Sequence, residues 1–316
     1  ISSGNDIYAT IFQENPLSQY IWESPLKILI LKTLSTSSLL IIGFVFLIIS
    51  LFPILGIFFN KRTKIYKLTS LLILATPAFK ISIHNIGLGD GLILLFSIFL
   101  ILFDENYIFI FVSISIIGIW HPGQAPFILV SSLFSKFLNN KSNSKDKSLF
   151  KSIDNKTNSY IISSILGLFL SRLILIIYNM NLNFEYINRL DYLLSQAPKF
   201  VINNIIHSPI SLVLPFSFLL IVIYKLKNLN LQIKFGILLW ILICSITSIL
   251  TTDVSRVVNI ILFPLYISIL DELNFIKNFS KIKLISLERK NILLIAIIFF
   301  IALLPSYGWD GISFSL

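Results

Sequence analysis

The sequence predicts an all-α, polytopic transmembrane protein with roughly nine to eleven spans and further helices at the outer membrane surface. Of its 316 residues, 56% are hydrophobic and 13% are charged, and the mean hydropathy is +0.88. Soluble domains carry about 25% charged residues. Apolar runs of about 20 residues, enough for a helix to cross a bilayer, recur along the whole chain. The basic residues behind the net charge of +10 lie in short loops between these runs, which indicates membrane topology and not nucleic-acid binding.

Four segments follow one another along the chain. Residues 1–35 form an external amphipathic segment, and we expect a further span before it. An N-terminal transmembrane block covers 36–138, a polar cytoplasmic linker covers 139–158, and a C-terminal transmembrane block covers 159–316. The candidate spans, several of them short for a full crossing, are 36–59, 66–80, 88–103, 106–120, 124–138, 159–180, 208–226, 231–250, 255–272 and 290–306.

Two features of these spans leave alternatives open. The sequence His121-Pro122-Gly123 breaks the region 106–138, which is either two short spans or a re-entrant pair. The outer loop 181–207 has helical apolar spacing and is expected to lie on the membrane surface. The single cysteine, Cys244, lies within an apolar run and excludes an intramolecular disulfide.

The orientation follows from the lysines and arginines. If residues 1–35 lie outside and the spans alternate, most of the 25 basic residues fall in cytoplasmic loops at 60–67, 136–158, 225–234 and 273–290. All three histidines and many carboxylates then fall on the outer side. Such a one-sided set is typical of a site at the outer surface, although outer loops also carry the polar residues that spans exclude.

The segment TPAFKISIHNIGLGDGLILLFSIFLILF, residues 76–103, is a short polar hinge followed by an apolar helix. Asp90 stands at the junction, after Gly87 and Gly89, with His84 further back. Asp90 either caps the helix, since carboxylates accept backbone N–H groups there, or belongs to a site. The glycines permit a turn or a close approach to a ligand. His84, like His121, is either an interfacial residue or a site residue.

Three further residues carry charge near the outer face. Asp253 and Arg256 lie at spacing i, i+3 where a helix begins, where we expect Arg256 to meet water. They are either a capping pair or an arginine held ready for a phosphate. Arg172 lies about 12 Å below the outer end of its span. It is either a functional intramembrane charge or a side chain that snorkels to the headgroups.

Two of these segments resemble the GT-C superfamily of membrane glycosyltransferases. In that superfamily a short external loop leads into G-x-x-D-x-L and an apolar helix, which Gly87, Asp90 and Leu92 match. The stretch SRVVNIILFPLYISIL resembles a later segment with an arginine at the outer face and a mid-span proline, which Arg256 and Pro264 match. The polar sequence GNDIY, before an amphipathic stretch and a span, resembles the first external loop of the superfamily.

The resemblance implies an enzyme that moves a sugar from a polyprenyl-phosphate donor to a glycan, lipid or protein acceptor. The reaction would occur at the outer, periplasmic face of a bacterial plasma membrane. It implies a general base on the acceptor hydroxyl and basic side chains on the phosphate, and it leaves a divalent metal undecided. The site residues it implies are Asp6 as the catalytic base and, for substrate binding, Asp90, His84, Arg256, Asp253, Arg172 and His121.

Two other classes stay open. A polysaccharide polymerase or ligase of O-antigen type also has many spans, but a larger external loop than 181–207 is expected of it. A secondary transporter favours ionisable residues at the midplane and inverted repeats, whereas Arg172 is the one charge deep in a predicted span. No P-loop, G-x-S-x-G, H-E-x-x-H or Cys/His metal spacing occurs in the sequence.

Overall fold

The computed structural model describes residues 24–33, 39–58, 78, 89–140, 155–180, 195, 197–199, 201–202, 231–250, 254–272, 308–309 and 314–315. The helices of this part of the chain are α1 Pro25–Thr33, α2 Leu39–Phe58, α3 Asp90–Leu102, α4 Tyr107–Trp120, α5 Ala125–Asn140, α6 Asn155–Met180, α7 Leu231–Ile249 and α8 Val254–Glu272. A two-residue antiparallel ladder joins β1 Gly308–Trp309 to β2 Phe314–Ser315. The described chain is otherwise helical, as predicted. The predicted spans 208–226 and 290–306, and nearly all of 66–80, lie outside the described residues.

The predicted break in 106–138 is present, and it separates α4 from α5. Asn106 caps α4 by accepting a hydrogen bond from the backbone N–H of Phe109 at 3.3 Å. Helix α4 stops at Trp120 because Pro122 disfavours a helical conformation at the preceding residue, and His121 has φ −144°. Helix α5 then begins Ala125-Pro126, where proline is tolerated because a first-turn N–H has no intrahelical partner.

The described helices form a bundle with two distinguishable ends. At the Asp90 end, defined by Gly89, Asp90, Trp120, Gln124 and Arg256, Gly89 packs on Trp120 and Arg256 binds Asp90. At the Asp104 end, defined by Asp104, Glu105, Lys136 and Lys156, Lys136 binds the Asp104 carbonyl and Lys156 binds Glu105. Helices α3, α5 and α8 therefore run from the Asp90 end to the Asp104 end, and α4, α6 and α7 run in the opposite direction.

Helices α3 and α8 occupy the middle of the bundle. Helix α3 packs against α2, α4, α5 and α8, and α8 packs also against α5 and α7. The side chains of α8 are buried continuously from Val258 to Ile267. Helix α6 packs on the outside of α4 and α5, so these two helices separate it from α3 and α8.

Small residues allow several helices to approach backbone to backbone. A Cβ added to Gly91 of α3 would lie 2.2 Å from the backbone oxygen of Ile49 in α2. A Cβ added to Gly167 of α6 would lie 2.7 Å from the backbone oxygen of Phe111 in α4, and one added to Gly118 of α4 would lie 2.2 Å from the side-chain Oγ of Ser171 in α6. These contacts fix the pairs α2–α3 and α4–α6 at short distances that larger residues would prevent.

Helix α5 is hydrogen-bonded to three other helices through its serines. Ser131 accepts from Trp240 Nε1 of α7 at 2.9 Å, Ser132 accepts from Tyr160 Oη of α6 at 2.9 Å, and Ser135 donates to the Pro264 carbonyl of α8 at 2.5 Å. Serine hydroxyls thus bridge helices in the interior of the bundle, where backbone groups of neighbouring helices are already paired.

Polar side chains lie in the interior of the bundle, and large apolar side chains lie on its surface. The interior holds polar and charged groups, including Asp90, Arg256, Lys136 and Asn259. The outer faces of α2, α6 and α7 expose large apolar side chains, which on α6 are Ile162, Ile165, Leu166, Phe169, Leu173, Ile176, Ile177 and Met180. Soluble monomers rarely expose contiguous apolar patches of this extent. Within the described ranges, one helix, Lys156–Tyr178, is long and apolar enough to cross a membrane, and the other apolar helices are shorter.

Candidate functional site at the Asp90 end

A buried ion pair joins the first turns of α3 and α8. Arg256 Nη2 donates to Asp90 Oδ1 at 2.9 Å, and Arg256 Nε donates to Asp90 Oδ2 at 2.5 Å. Asp90 is 0% exposed and Arg256 is 6% exposed. The planar guanidinium meets the carboxylate with two parallel bonds, which is the strongest geometry available to such a pair. The carboxylate also lies where the partial positive charge of the α3 N-terminus favours it.

This pairing differs from the sequence expectations for both residues. Gly89, and not Asp90, is the N-cap of α3, and no side chain caps that helix. Arg256 was expected at a water-exposed helix end beside Asp253, but it is buried and bound to Asp90, a residue 166 positions earlier. The local i, i+3 spacing did not point to Asp90, and the pairing with Asp253 that it predicted stays a prediction. Asp253 lies outside the described residues, as do the predicted site residues Asp6 and His84.

Gly89 is a position that requires glycine. Its φ is +65°, in the left-handed region that side chains with a Cβ rarely adopt. A Cβ there would lie 2.4 Å from Cζ2 of Trp120, whose side chain is 1% exposed. The glycine thus lets the indole pack on the backbone that leads into Asp90. Gly87, the other glycine of the predicted hinge, lies outside the described chain.

The turn between α4 and α5 brings two buried polar side chains to the same end. His121 is 6% exposed, and its carbonyl accepts from the backbone N–H groups of Gln124 at 3.1 Å and Ala125 at 3.3 Å. Gln124 is 3% exposed, and neither its amide nitrogen nor its amide oxygen has a hydrogen-bond partner among the described residues. An unsatisfied buried amide is destabilising, so its presence calls for a reason.

Gln124 was not predicted from the sequence. The stretch HPGQAP carries no periodic signal, and the only indication was a polar residue between two apolar runs. Helices α5 and α8 run in the same direction and are joined at Ser135 and Pro264. Counting back eight residues on each from that contact reaches positions 127 and 256. Gln124 therefore belongs about one turn beyond the level of Arg256, towards the bundle end.

Arg172 lies at the same end but on a different side. Its side chain is exposed on α6, and its Nη2 donates to the carbonyl of Pro122 at 3.2 Å. Because α4 and α5 lie between α6 and the central helices, the structure does not group Arg172 with the Asp90–Arg256 pair. The predicted substrate-binding set thus divides into a buried pair with His121 nearby, a separate surface arginine, and residues that the structure does not describe.

The described chain contains no group of three or more His, Cys, Asp or Glu side chains that could hold a metal ion. The chemistry that this end offers is a fixed guanidinium, a carboxylate that orients it, and an amide whose donor and acceptor are unpaired within the described part of the chain. Such groups bind anions and hydroxyls. No protein-family model, curated protein or solved structure matches the chain.

Proposed function

We propose that this chain is a polytopic integral membrane protein of a bacterial plasma membrane. The inverted polarity of the bundle supports this, since helices in lipid expose apolar side chains and bury small and polar ones against each other. The exposed apolar strip of α6 runs from Ile162 to Met180, about 27 Å at 1.5 Å per residue. That length is close to the roughly 30 Å hydrocarbon thickness of a bilayer.

In the proposed orientation the Asp104 end faces the cytoplasm. Lys136 and Lys156 lie at that end, next to the basic linker between α5 and α6. This placement agrees with the enrichment of Lys and Arg in cytoplasmic loops. The Asp90 end then faces the periplasm. In this arrangement the short helices α3, α4 and α5 cross as partly buried spans, which α2, α6 and α7 cover only in part.

Single cysteines test this orientation in a Cys244→Ala background. Glu105 and Gly123 are exposed at opposite ends, and a Cβ at Gly123 meets nothing within 4 Å. We expect Gly123→Cys to react with a membrane-impermeant maleimide in intact cells. Glu105→Cys should react only after the membrane is opened. The reverse result would invert the orientation, and recovery of the chain in the carbonate-soluble fraction would reject membrane integration.

At the Asp90 end, the proposed activity is transfer of a sugar from a polyprenyl-phosphate donor to an acceptor hydroxyl. One observation carries the proposal. The two segments that resemble GT-C glycosyltransferases, one around Asp90 and one around Arg256, are joined directly by the ion pair between those residues. In the proposed site Asp90 orients the guanidinium, and Arg256 supplies positive charge to the phosphate leaving group. Asp6 stays the proposed base.

Gln124 is the proposed sugar-binding residue of this site. Its amide can donate to one sugar hydroxyl and accept from another, which would satisfy both of its unpaired atoms. The amide is 3% exposed, so in this proposal donor binding requires a rearrangement that uncovers it. An unsatisfied amide that is stabilised only when substrate binds contributes to specificity, because a ligand without the matching hydroxyls leaves it unpaired.

The test compares Gln124→Met with wild type in nanodiscs that contain a polyprenyl-phosphate sugar. Ser113→Ala is the matched control, because Ser113 Oγ is also buried and unpaired within the described ranges but lies on α4 away from the turn. We expect both variants to be at least as stable as wild type. Transfer should fall about tenfold or more in Gln124→Met alone, as for the loss of two hydrogen bonds.

Two outcomes would count against the proposal. Equal transfer by Gln124→Met and wild type would remove Gln124 from the site. If the wild-type protein transfers no sugar from any such donor but moves a solute across vesicles, the secondary-transporter alternative replaces the glycosyltransferase.

A further inference from the structure

Arg172 is a charged side chain on an otherwise apolar surface. Its neighbours on the exposed face of α6 include Phe169, Leu173 and Ile176, which are 67%, 43% and 56% exposed. Among the described residues its guanidinium has one hydrogen bond, to the Pro122 carbonyl, and no carboxylate. Most of its five N–H donors are therefore available to a ligand that approaches from outside the bundle.

The position of this guanidinium along the bundle is unusual for a surface helix. Helix α6 continues eight residues beyond Arg172, or about 12 Å. The side chain reaches to Pro122, at the turn where α4 ends and α5 begins. Helices α3 and α4, with 13 and 14 residues, are about 20 Å long. The apolar face of α6 thus extends past the level at which its neighbours end.

We infer that Arg172 binds the phosphate of an anionic phospholipid of the surrounding bilayer, held beside the α4–α5 turn. This rests on the membrane insertion proposed above, but not on the sugar-transfer activity. A lone charge facing lipid at this depth is costly unless it acquires a polar partner. A guanidinium offers a bidentate fork that matches phosphate oxygens. The lipid's acyl chain follows the exposed strip from Phe169 towards Ile162.

The short helices explain why a lipid headgroup reaches the level of Arg172 and the α4–α5 turn. A hydrophobic stretch shorter than the bilayer is accommodated by local thinning. On the α4–α5 side of the bundle, thinning brings headgroups inward to the turn, where Arg172 meets them. Farther along α6, the residues Ile176, Ile177 and Met180 extend past the level of this turn. The bound lipid is a bilayer component, separated from the Asp90–Arg256 pair by α4 and α5.

The test measures binding of phosphatidylglycerol to the delipidated full chain in neutral detergent by native mass spectrometry. Arg172→Gln removes the charge from an exposed helix position, so the fold is expected to tolerate it. The matched control is Lys156→Gln, which removes an exposed cation from the other end of the same helix, where Glu105 already pairs with it. Further arms offer inorganic phosphate, phosphatidylcholine and polyprenyl phosphate.

We expect Arg172→Gln to weaken the tightest phosphatidylglycerol site about tenfold or more, and Arg172→Lys to weaken it less. Lys156→Gln should match wild type. Unchanged binding by Arg172→Gln would overturn the inference, as would competition by inorganic phosphate at equal concentration. If Arg172→Gln instead abolishes sugar transfer and polyprenyl-phosphate binding while phosphatidylglycerol still binds, Arg172 belongs to the donor site. Absence of transfer by wild type would reject the proposed function and leave this binding result intact.

Discussion

The two ends of the bundle contain ion pairs of similar length in very different surroundings. At the Asp90 end the Arg256 and Asp90 side chains are 8% and 0% exposed. At the Asp104 end Lys156 Nζ lies 2.7 Å from Glu105 Oε1, but these side chains are 59% and 70% exposed. Judged by contact distance alone, the two pairs would be expected to contribute equally to stability. Burial separates them, because desolvation makes each buried charge depend on its partner, whereas water and ions replace an exposed partner.

The difference indicates separate roles for the two ends. A buried pair fixes α3 to α8 and makes both residues intolerant of single replacement. The exposed pair leaves Lys156 and Glu105 in contact with solvent, whereas Lys136 at the same end is 5% exposed. Its Nζ lies 3.7 Å from Asp104 Oδ2 and 4.8 Å from the centre of the Tyr160 ring. The following predictions test this contrast.

The largest effect is expected at the buried pair. Arg256→Met or Asp90→Leu alone leaves an uncompensated charge inside the bundle and should reduce the unfolding free energy by about 3–5 kcal/mol. The double variant should recover most of that loss, because no unpaired charge is left. Unfolding in mixed detergent micelles measures the three variants. Additive losses in the double variant would mean that the two residues do not stabilise each other.

A smaller loss is expected for Gly89→Ala. The left-handed backbone and the contact with Trp120 together should lower the unfolding free energy by about 2 kcal/mol. Gly123→Ala, in the turn between α4 and α5, is the control, since its Cβ would meet open space. Equal melting temperatures for the two variants would show that the indole moves aside and that the conformation at Gly89 is not needed.

The smallest effect is expected at the exposed pair. The hydrogen bond from Lys156, and then its charge, lower the pKa of Glu105. The pair therefore stabilises the fold above the ordinary carboxyl pKa, and this contribution is lost as the pH falls through the lowered pKa.

Glu105→Gln should leave the melting temperature at pH 7 nearly unchanged. In Lys156→Gln the pKa of Glu105, followed by NMR, should rise towards its ordinary value, and high salt should mimic the substitution. A large drop in the melting temperature of Glu105→Gln at neutral pH would mean that the exposed pair stabilises the fold as much as the buried pair does.

Local patterns predicted the helices well. The expected span 88–103 corresponds to α3, 106–120 and 124–138 correspond to α4 and α5, and 255–272 corresponds to α8. Hydrophobic runs and prolines determine where helices begin and end, and both are visible in the sequence. The glycines before Asp90 were expected to permit a turn or a close approach to a ligand, and Gly89 has a left-handed backbone in contact with Trp120.

The composition of the site was less predictable because it depends on which helices pack together. Local spacing predicted Asp253 as a partner of Arg256, and this stays a prediction because Asp253 lies outside the described residues. It gave no indication of Asp90, the partner that the packing of α3 on α8 brings to Arg256. Arg172 was grouped with Arg256 because both were expected at the outer face, and sidedness does not reveal the intervening α4 and α5. Gln124 was missed since an isolated amide in a turn resembles any other loop residue.

The three serines of α5 restrict how the molecule can move. Their partners lie on three different helices, and the serines occupy positions i, i+1 and i+4. A shift of α5 by one residue would rotate these hydroxyls by about 100° and break all three bonds together. Helix α5 therefore keeps a fixed register relative to α6, α7 and α8. Any rearrangement that uncovers Gln124 while these bonds persist therefore leaves α5 in register with α6, α7 and α8.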